Sequence, residues 1–335
     1  MDKFILIDGN AIVHRAYHGL PPLTATDGTV VNAVYGFFSM LLKLLEDIKP
    51  QYIAVCFDRP VPTFRKQLYV GYQAHRPAMA DDLSPQFPII HDILEKAGVQ
   101  IFEVDGYEAD DLIGTLATKS IQDSLQRSRY GGQARFKIQD LDVIIVSGDR
   151  DLLQLVNGRV RMMAPIVGIT NMTTFDAAKV KEKYGLTPKQ FIDYKALVGD
   201  NSDGYPGVTG IGPKTAANLL NQYGTFEDIY KHLGDLSPKL SSALATDAEQ
   251  ASLAKKLATI VTDVPIQFDI TKCRIEDFDM NILKKEFEKL GFKSILKRMD
   301  ALNKVEEPAR HRLSPQATAG GAEKEKKNSE QLGLL

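Results

Sequence analysis

Three hydrophobic runs in this chain each lead into an aspartate: Phe4-Ile5-Leu6-Ile7-Asp8, Tyr52-Ile53-Ala54-Val55-Cys56-Phe57-Asp58 and Val143-Ile144-Ile145-Val146-Ser147-Gly148-Asp149. In an open parallel sheet, ligands bind beyond the carboxyl ends of the strands, so three such ends point to one acidic site. Glu108, Asp110, Asp111, Asp151, Asp200 and Asp203 offer further carboxylates. Like charges in that number cannot gather fully ionised. Either several are protonated or metal ions neutralise them. Oxygen donors with no Cys or His among them favour a hard ion, Mg²⁺ or Mn²⁺.

Each motif also has a simpler reading. An Asp after a strand is often a turn residue or a helix cap, which suits Asp8, Asp58 and the Asp149-Arg150-Asp151 pair ahead of Leu152. A haloacid-type phosphotransferase would want a second Asp two residues after Asp8, where Asn10 stands. The simpler reading must be invoked again for every acid that the fold would bring to one edge, which weighs against it. Glu108-Ala109-Asp110-Asp111 crowds three acids into one turn, with Glu108 and Asp111 on one helical side; the helix dipole favours acids there, but so dense a group wants a cation opposite. Asp200-Asn201-Ser202-Asp203 repeats the i, i+3 spacing in a loop.

Gly207-Val208-Thr209-Gly210-Ile211-Gly212-Pro213-Lys214-Thr215 opens a helix. Glycines allow close backbone approach to a phosphate, and the helix start presents free N–H groups. A Walker loop is excluded, because Pro213 replaces its required Gly. From Thr63 to Pro77, basic and aromatic residues interleave directly after the Asp58 strand end. Such a stretch suits phosphates and base faces, or equally an ordinary amphipathic surface.

Residues 1 to about 170 alternate strands and helices, the pattern of a doubly wound α/β sheet. Helices are expected near Asn32–Asp47, Pro85–Ala97 and Glu108–Ser120, with a short strand at Gln100–Val104. Gln122–Gln139 reads as a surface loop or helix extension. About Ala177 to Arg298 is mainly helical, and Glu306–Asn328 has the composition of a disordered linker. Two cysteines in 335 residues argue against a disulfide scaffold and suit a reducing cytosol. The first strand begins within four residues of the N-terminus, leaving no signal peptide, and no apolar run is long enough to span a membrane. The formal net charge of −2 does not exclude DNA, since ions in an acidic pocket would leave the remaining surface net positive.

With these residues assembled, the chain closely resembles the 5′–3′ exonuclease domain of bacterial DNA polymerase I, within the flap endonuclease family, from about residue 3 to about 300. Arg15-Ala16-Tyr17-His18, Phe57-Asp58, Phe64-Arg65, Tyr107 to Asp111, Ser147 to Asp151, Gly199 to Asp203 and Gly207 to Thr215 carry the likeness. The resemblance implies a mainly parallel, PIN-like α/β nuclease core over 1–175 with a helical arch at about 62–95. A helix–three-turn–helix DNA-binding module would follow over 176–300. It implies metal ligation by Asp8, Asp58, Glu108, Asp110, Asp149, Asp151, Asp200 and Asp203, with Asp111 beside them. On this reading Asp8, Asp58, Glu108 and Asp110 favour one ion and Asp149, Asp151, Asp200 and Asp203 the other, with Arg76 also catalytic. DNA-facing positions would be Arg15, Tyr17, Arg65, Lys66, Tyr72, Arg76, Gly207, Gly210, Gly212, Lys214 and Thr215, with one K⁺ at the Gly207–Gly212 loop.

The activity so implied is 5′–3′ exonuclease and structure-specific 5′ flap endonuclease action by a two-metal mechanism. Its setting would be primer removal and repair in the bacterial cytoplasm at the nucleoid, by a monomer. Two departures stand out. Gln73 occupies the place of a Lys thought to reach the scissile phosphate, with Lys66 or His75 as substitutes, and Gly204-Tyr205 follows Asp203 in place of Asn-Ile. The chain lacks the length of a polymerase, so a stand-alone nuclease or a piece of something longer is expected, and the tail favours the first. After a linker at 301–330, Gln331-Leu332-Gly333-Leu334-Leu335 resembles the peptide that docks on the bacterial sliding clamp through Gln331, Leu332, Leu334 and Leu335. Two other readings are a slow or inactive homologue that binds branched DNA and recruits the clamp, and a ribonuclease on a related core.

Overall fold

The computed structural model describes residues 1–130, 140–168 and 171–306. The chain begins β1 (Lys3–Asp8), α1 (Gly9–Gly19), α2 (Asn32–Ile48), β2 (Tyr52–Cys56), α3 (Phe64–Leu68), α4 (Gln86–Lys96) and β3 (Gln100–Phe102). It continues through α5 (Ala109–Tyr130), β4 (Asp142–Val146), β5 (Val160–Val167) and β6 (Asn171–Phe175). These strands form one sheet in the order β3-β2-β1-β4-β5-β6, parallel throughout except for β6, which runs antiparallel to β5. The chain winds outward from β1 to β3 and then returns to the other side of β1 with β4. The order therefore reverses between β1 and β4, where such folds open a crevice at the carboxyl ends of the strands.

Burial explains why these runs become interior strands. β2 is buried at every position and β1 at every position after Lys3, as expected for a sheet covered on both faces. Phe4 and Leu6 pack on one face with Leu112, Ile113 and Leu116 of α5. Ile5 and Ile7, which alternation turns to the other face, are equally buried. The helices expected near Asn32, Pro85 and Glu108 all form. α5 runs ten residues beyond the expected Ser120, so the start of the Gln122 segment is a helix extension. The part of that segment after Tyr130 lies outside the described residues up to Asp140. A further helix, α1, not among those expected, follows β1 directly. Within the expected arch, helix is confined to α3 and α4, with turns between them.

The second half comprises α6 (Ala177–Tyr184), α7 (Gln190–Val198), a two-residue antiparallel pair β7 (Gly199–Asp200) and β8 (Tyr205–Pro206), and α8 (Pro213–Tyr223). After these come α9 (Phe226–Lys231), α10 (Pro238–Thr246), α11 (Ala248–Ala258), α12 (Met280–Lys289) and α13 (Lys293–Glu306). Leu197, Ile211, Leu220 and Ile229 belong to a hydrophobic cluster of its own in this half. Met1–Phe292 nevertheless forms one compact unit, which the expected 175/176 boundary falls inside, and α13 falls outside that unit. Among the described residues no helix is long and apolar enough to cross a membrane.

Candidate active site

β1, β2 and β4 deliver Asp8, Asp58 and Asp149 to the same sheet edge, and hydrogen bonds then fix the aspartates. Asp8 Oδ1 caps α1 by accepting from the Ala11 amide at 3.0 Å, while its Oδ2 accepts from Ser147 Oγ at 2.5 Å. Asp58 Oδ1 accepts from the Ala109 amide at 2.7 Å, which ties the end of β2 to the start of α5. Asp149 Oδ1 caps the next 3₁₀ turn by accepting from the Asp151 amide at 2.8 Å. The capping role therefore does not exclude a ligand role. Each cap sets a carboxylate's orientation without exhausting the four lone-pair positions of its two oxygens.

The result is a cleft of about 330 Å³ lined by Asp8, Asp58, Glu108, Asp110, Asp149, Asp151 and Asp203, together with Lys66, Tyr72, Gln73 and Arg76. Glu108 accepts from Thr63 Oγ1 and from Tyr72 Oη, both at 3.0 Å. An adjoining recess shares Asp149, Asp151 and Asp203 and adds Lys195 and Asp200. There Asp151, Asp200 and Asp203 each offer an oxygen within 4.8 Å of the others.

Loss of contact with bulk water, together with mutual repulsion, pushes these acids toward their neutral forms. Burial lifts the Asp8 carboxyl to about 7, and burial plus the neighbouring Asp149 charge does the same to Asp151. Confinement in the cleft also raises Asp58, Glu108, Asp110 and Asp149. Asp200 moves the other way. Burial opposes its charge, but bonds from Lys195 and Ser202 outweigh that and hold it below the usual range. An all-oxygen cluster that strains against its own ionisation fits a hard divalent cation, which would replace the missing protons.

Several residues expected at the DNA surface are engaged inside the protein. Arg65 is buried, forms a two-pronged ion pair with Asp111 and donates to the Leu257 and Thr259 carbonyls. This corrects both expectations. Arg65 does not face solvent, and Asp111, wholly buried and also accepting from the Val261 amide, is taken up by the pair instead of lying open to a metal. Tyr72 is buried, stacked on Tyr205 and bonded to Glu108, so its ring faces no base here. Gly207 is a packing glycine. A Cβ there would lie 2.3 Å from the Gly199 amide nitrogen, so the close approach of the start of β7 to the residue that follows β8 needs glycine at both positions.

Other expected contacts stay accessible. Lys66 and Arg76 are exposed at the cleft, and Arg76 Nη2 lies 2.7 Å from Asp203 Oδ1. Arg15 donates to the Ile166 and Gly168 carbonyls, and Tyr17 Oη donates to Asp82. Gly210, at φ +80°, and Gly212 open on free space ahead of α8, whose first turn carries exposed Lys214 and half-buried Thr215 and has no side-chain cap. Gln331, Leu332, Leu334 and Leu335 lie outside the described residues.

Two residues of the site were not singled out from sequence. Ser147 joins the Asp8 and Asp149 strand ends: its Oγ donates to Asp8 and accepts from the Asp149 amide at 2.9 Å. Lys195 Nζ bridges Asp151 and Asp200. A lysine directly before the apolar Ala196-Leu197-Val198 and five residues before Asp200 was the available signal.

Residues 3–185 match the family model described as 5′-3′ exonuclease, N-terminal resolvase-like domain, and residues 186–281 match the 5′-3′ exonuclease C-terminal SAM fold. The chain belongs to the 5′–3′ exonuclease family. It is 38% identical to a 5′-3′ exonuclease of Aquifex aeolicus, over 90% of this chain and 96% of that one. It is also 40% identical to DNA polymerase I of Caldicellulosiruptor bescii over 89% of this chain, and spans only 33% of that longer relative. The fold matches a bacteriophage T5 5′-exonuclease solved with zinc ions bound, at a TM-score of 0.60 and 22% identity, over 86% of this chain and 98% of that one. It also matches the catalytic core of Rad2 in complex with DNA substrate, at a TM-score of 0.51 and 17% identity, over 86% of this chain and 87% of that one. These family assignments accord with the parallel core and the helical second half, and they favour an active nuclease over a binding-only homologue.

Proposed function

We propose that this exonuclease-family protein hydrolyses DNA phosphodiester bonds next to the 5′ end at flaps, nicks and gaps, using divalent ions held by the cleft carboxylates. The observation that carries the reading is the meeting of Asp8, Asp58, Glu108, Asp110, Asp149, Asp151 and Asp203 in one cleft at the β1/β4 reversal. Asp8, Asp58, Glu108 and Asp110 would hold one ion, and Asp149, Asp151, Asp200 and Asp203 the other. When bound, such ions supply charge for the phosphate and a water of lowered pKa.

The chain's own residues do the rest. Thr63 and Tyr72 orient Glu108, and Ser147 and the Ala11 amide orient Asp8. Arg76 and Lys66 place positive charge at the rim, where a DNA backbone would enter. Gly210, Gly212, Lys214 and the uncapped start of α8 suit a duplex phosphate, with K⁺ as a candidate bridging ion. The tail at 331–335 would tether the protein to a sliding clamp. Deleting it should abolish clamp capture without changing cleavage of free DNA.

The deciding experiment incubates a labelled 5′-flap duplex with the protein and Mg²⁺. Flap cleavage that needs Mg²⁺ and disappears in Asp149→Asn/Asp151→Asn supports the proposal. Cleavage that survives this double change refutes the site assignment, and cleavage of RNA flaps alone would move the substrate to RNA.

A further inference from the structure

The outer carboxylate group already contains a cation supplied by the protein. Lys195, in the last turn of α7, lies 2.5 Å from Asp151 Oδ1 and also contacts Asp200 Oδ2. The side chains are largely shielded from solvent, at 17% exposure for Lys195, 14% for Asp151 and 8% for Asp200. The backbone brings them together. Gly199 at φ +74° ends the helix and turns the chain back, so Asp200 meets a lysine that it could not face on a continuous helix. Ser202 holds the other Asp200 oxygen through both its amide at 2.7 Å and its hydroxyl at 2.5 Å, which leaves Oδ2 to the lysine. The same carboxylates, Asp151 and Asp200, together with Asp203, each offer an oxygen within 4.8 Å of the others.

A divalent ion that draws on the Asp151 and Asp200 carboxylates must compete with the ammonium already set against them. We infer that Lys195 is a built-in counter-ion that competes with the divalent cation for the Asp151–Asp200–Asp203 subsite. It stabilises the ion-free protein and weakens ion binding there relative to the Asp8 side. Among the described residues the inner group has no lysine against it: Asp8 and Asp58 accept from Ser147 and backbone amides, and the cation nearest Glu108, Arg65 at 3.4 Å, is held in its fork with Asp111. The outer ion therefore binds only the fraction of molecules in which Lys195 has moved away. Its apparent affinity falls by that fraction. This inference rests on the reading of the carboxylates as divalent-ion ligands.

The test is a Mn²⁺ titration of the full chain, followed by calorimetry and by the electron paramagnetic resonance of free Mn²⁺. It compares the native protein with Lys195→Met, which keeps the apolar stem, with Lys195→Gln, and with Asp8→Asn. The native protein should show a tight and a weak class of site. Both Lys195 variants should tighten the weak class about tenfold or more while leaving the tight class unchanged. Their melting temperature should fall in chelator and return to the native value at saturating Mn²⁺. Adding Asp200→Asn to Lys195→Met should remove the tightened class. A weak class that is unchanged or weaker in both Lys195 variants overturns the counter-ion role while leaving the metal reading intact. Native Mn²⁺ binding that Asp8→Asn does not alter overturns the metal reading, and this inference with it.

Discussion

Arg65 and Asp111 meet as a parallel fork inside the protein, with Nη1 2.7 Å from Oδ2 and Nη2 2.8 Å from Oδ1. Neither side chain reaches solvent appreciably, at 3% and 0% exposure. The guanidinium also bonds the Leu257 and Thr259 carbonyls, so the pair fastens the first turn of α5 to the chain leaving α11. Removing one partner strands a buried charge, which typically costs about 3–5 kcal/mol. Arg65→Ala and Asp111→Asn should each lower the unfolding free energy by roughly that amount in urea titrations of the metal-free protein. Arg65→Lys should rescue little, because an ammonium cannot reproduce the fork. A loss below about 1 kcal/mol would contradict the assignment.

Ser147 separates placement of a ligand from ligation itself. Its hydroxyl donates to Asp8 and accepts from the Asp149 amide, tying together the two strand ends on either side of the crevice. Outer partners of metal ligands commonly influence affinity or activity by about 10–100-fold. Ser147→Ala should therefore weaken Mg²⁺-dependent flap cleavage within that range, with much of the loss recovered at high Mg²⁺. Equal loss at every Mg²⁺ concentration would mean that the hydroxyl acts on something other than ion binding.

The strand-to-aspartate runs made the site legible because an all-parallel core converts sequence position into sheet edge: any acid just past a buried strand must emerge at the carboxyl end. The failures share a cause. Arg65 and Asp111 look like surface charges one at a time, and only their convergence in space shows that each neutralises the other. Tyr72 reads as a base platform until Tyr205, more than a hundred residues away, is found stacked on it at 6.4 Å. Gly207 reads as phosphate-binding until Gly199 is seen against its backbone. Pairing between distant segments leaves no local pattern, and Lys195 was passed over for the same reason.

The carboxylate cluster sets the pH dependence of stability. Asp8 and Asp151 rise from 3.8 to about 7 on folding. A raised folded-state value means that the native protein binds more protons, so this stabilisation is complete below about pH 4 and is lost as pH climbs through about 7. His14 and His91, lowered by burial, act in the opposite sense near and below 6.5, with smaller effect because both are only partly enclosed. In chelator, the unfolding free energy should fall between about pH 4 and 7, by on the order of a few kcal/mol in total, and the melting temperature should fall with it. Mg²⁺ should flatten or reverse that fall, because metal binding takes the place of the protons. A melting temperature that rises across this range in chelator would show that the acids are ionised without help.

Gln73 sits at φ +55° and holds Asp203 twice, through its amide to the carbonyl at 2.7 Å and through Nε2 to Oδ1 at 3.1 Å. The resemblance read from the sequence implies a lysine at this place, reaching the phosphate being cut. The neutral amide leaves Arg59, Lys66 and Arg76 as the exposed cations that line the cleft. A fixed charge near developing phosphate charge is worth up to several kcal/mol, so Gln73→Lys should raise the single-turnover rate on a 5′-flap duplex about tenfold or more. Part of that gain would be offset by attraction of the new ammonium to Asp203, which should show as a higher Mg²⁺ requirement. A rate unchanged by Gln73→Lys but reduced by Arg76→Ala would instead assign the phosphate-facing charge to Arg76, with Gln73 serving to hold Asp203.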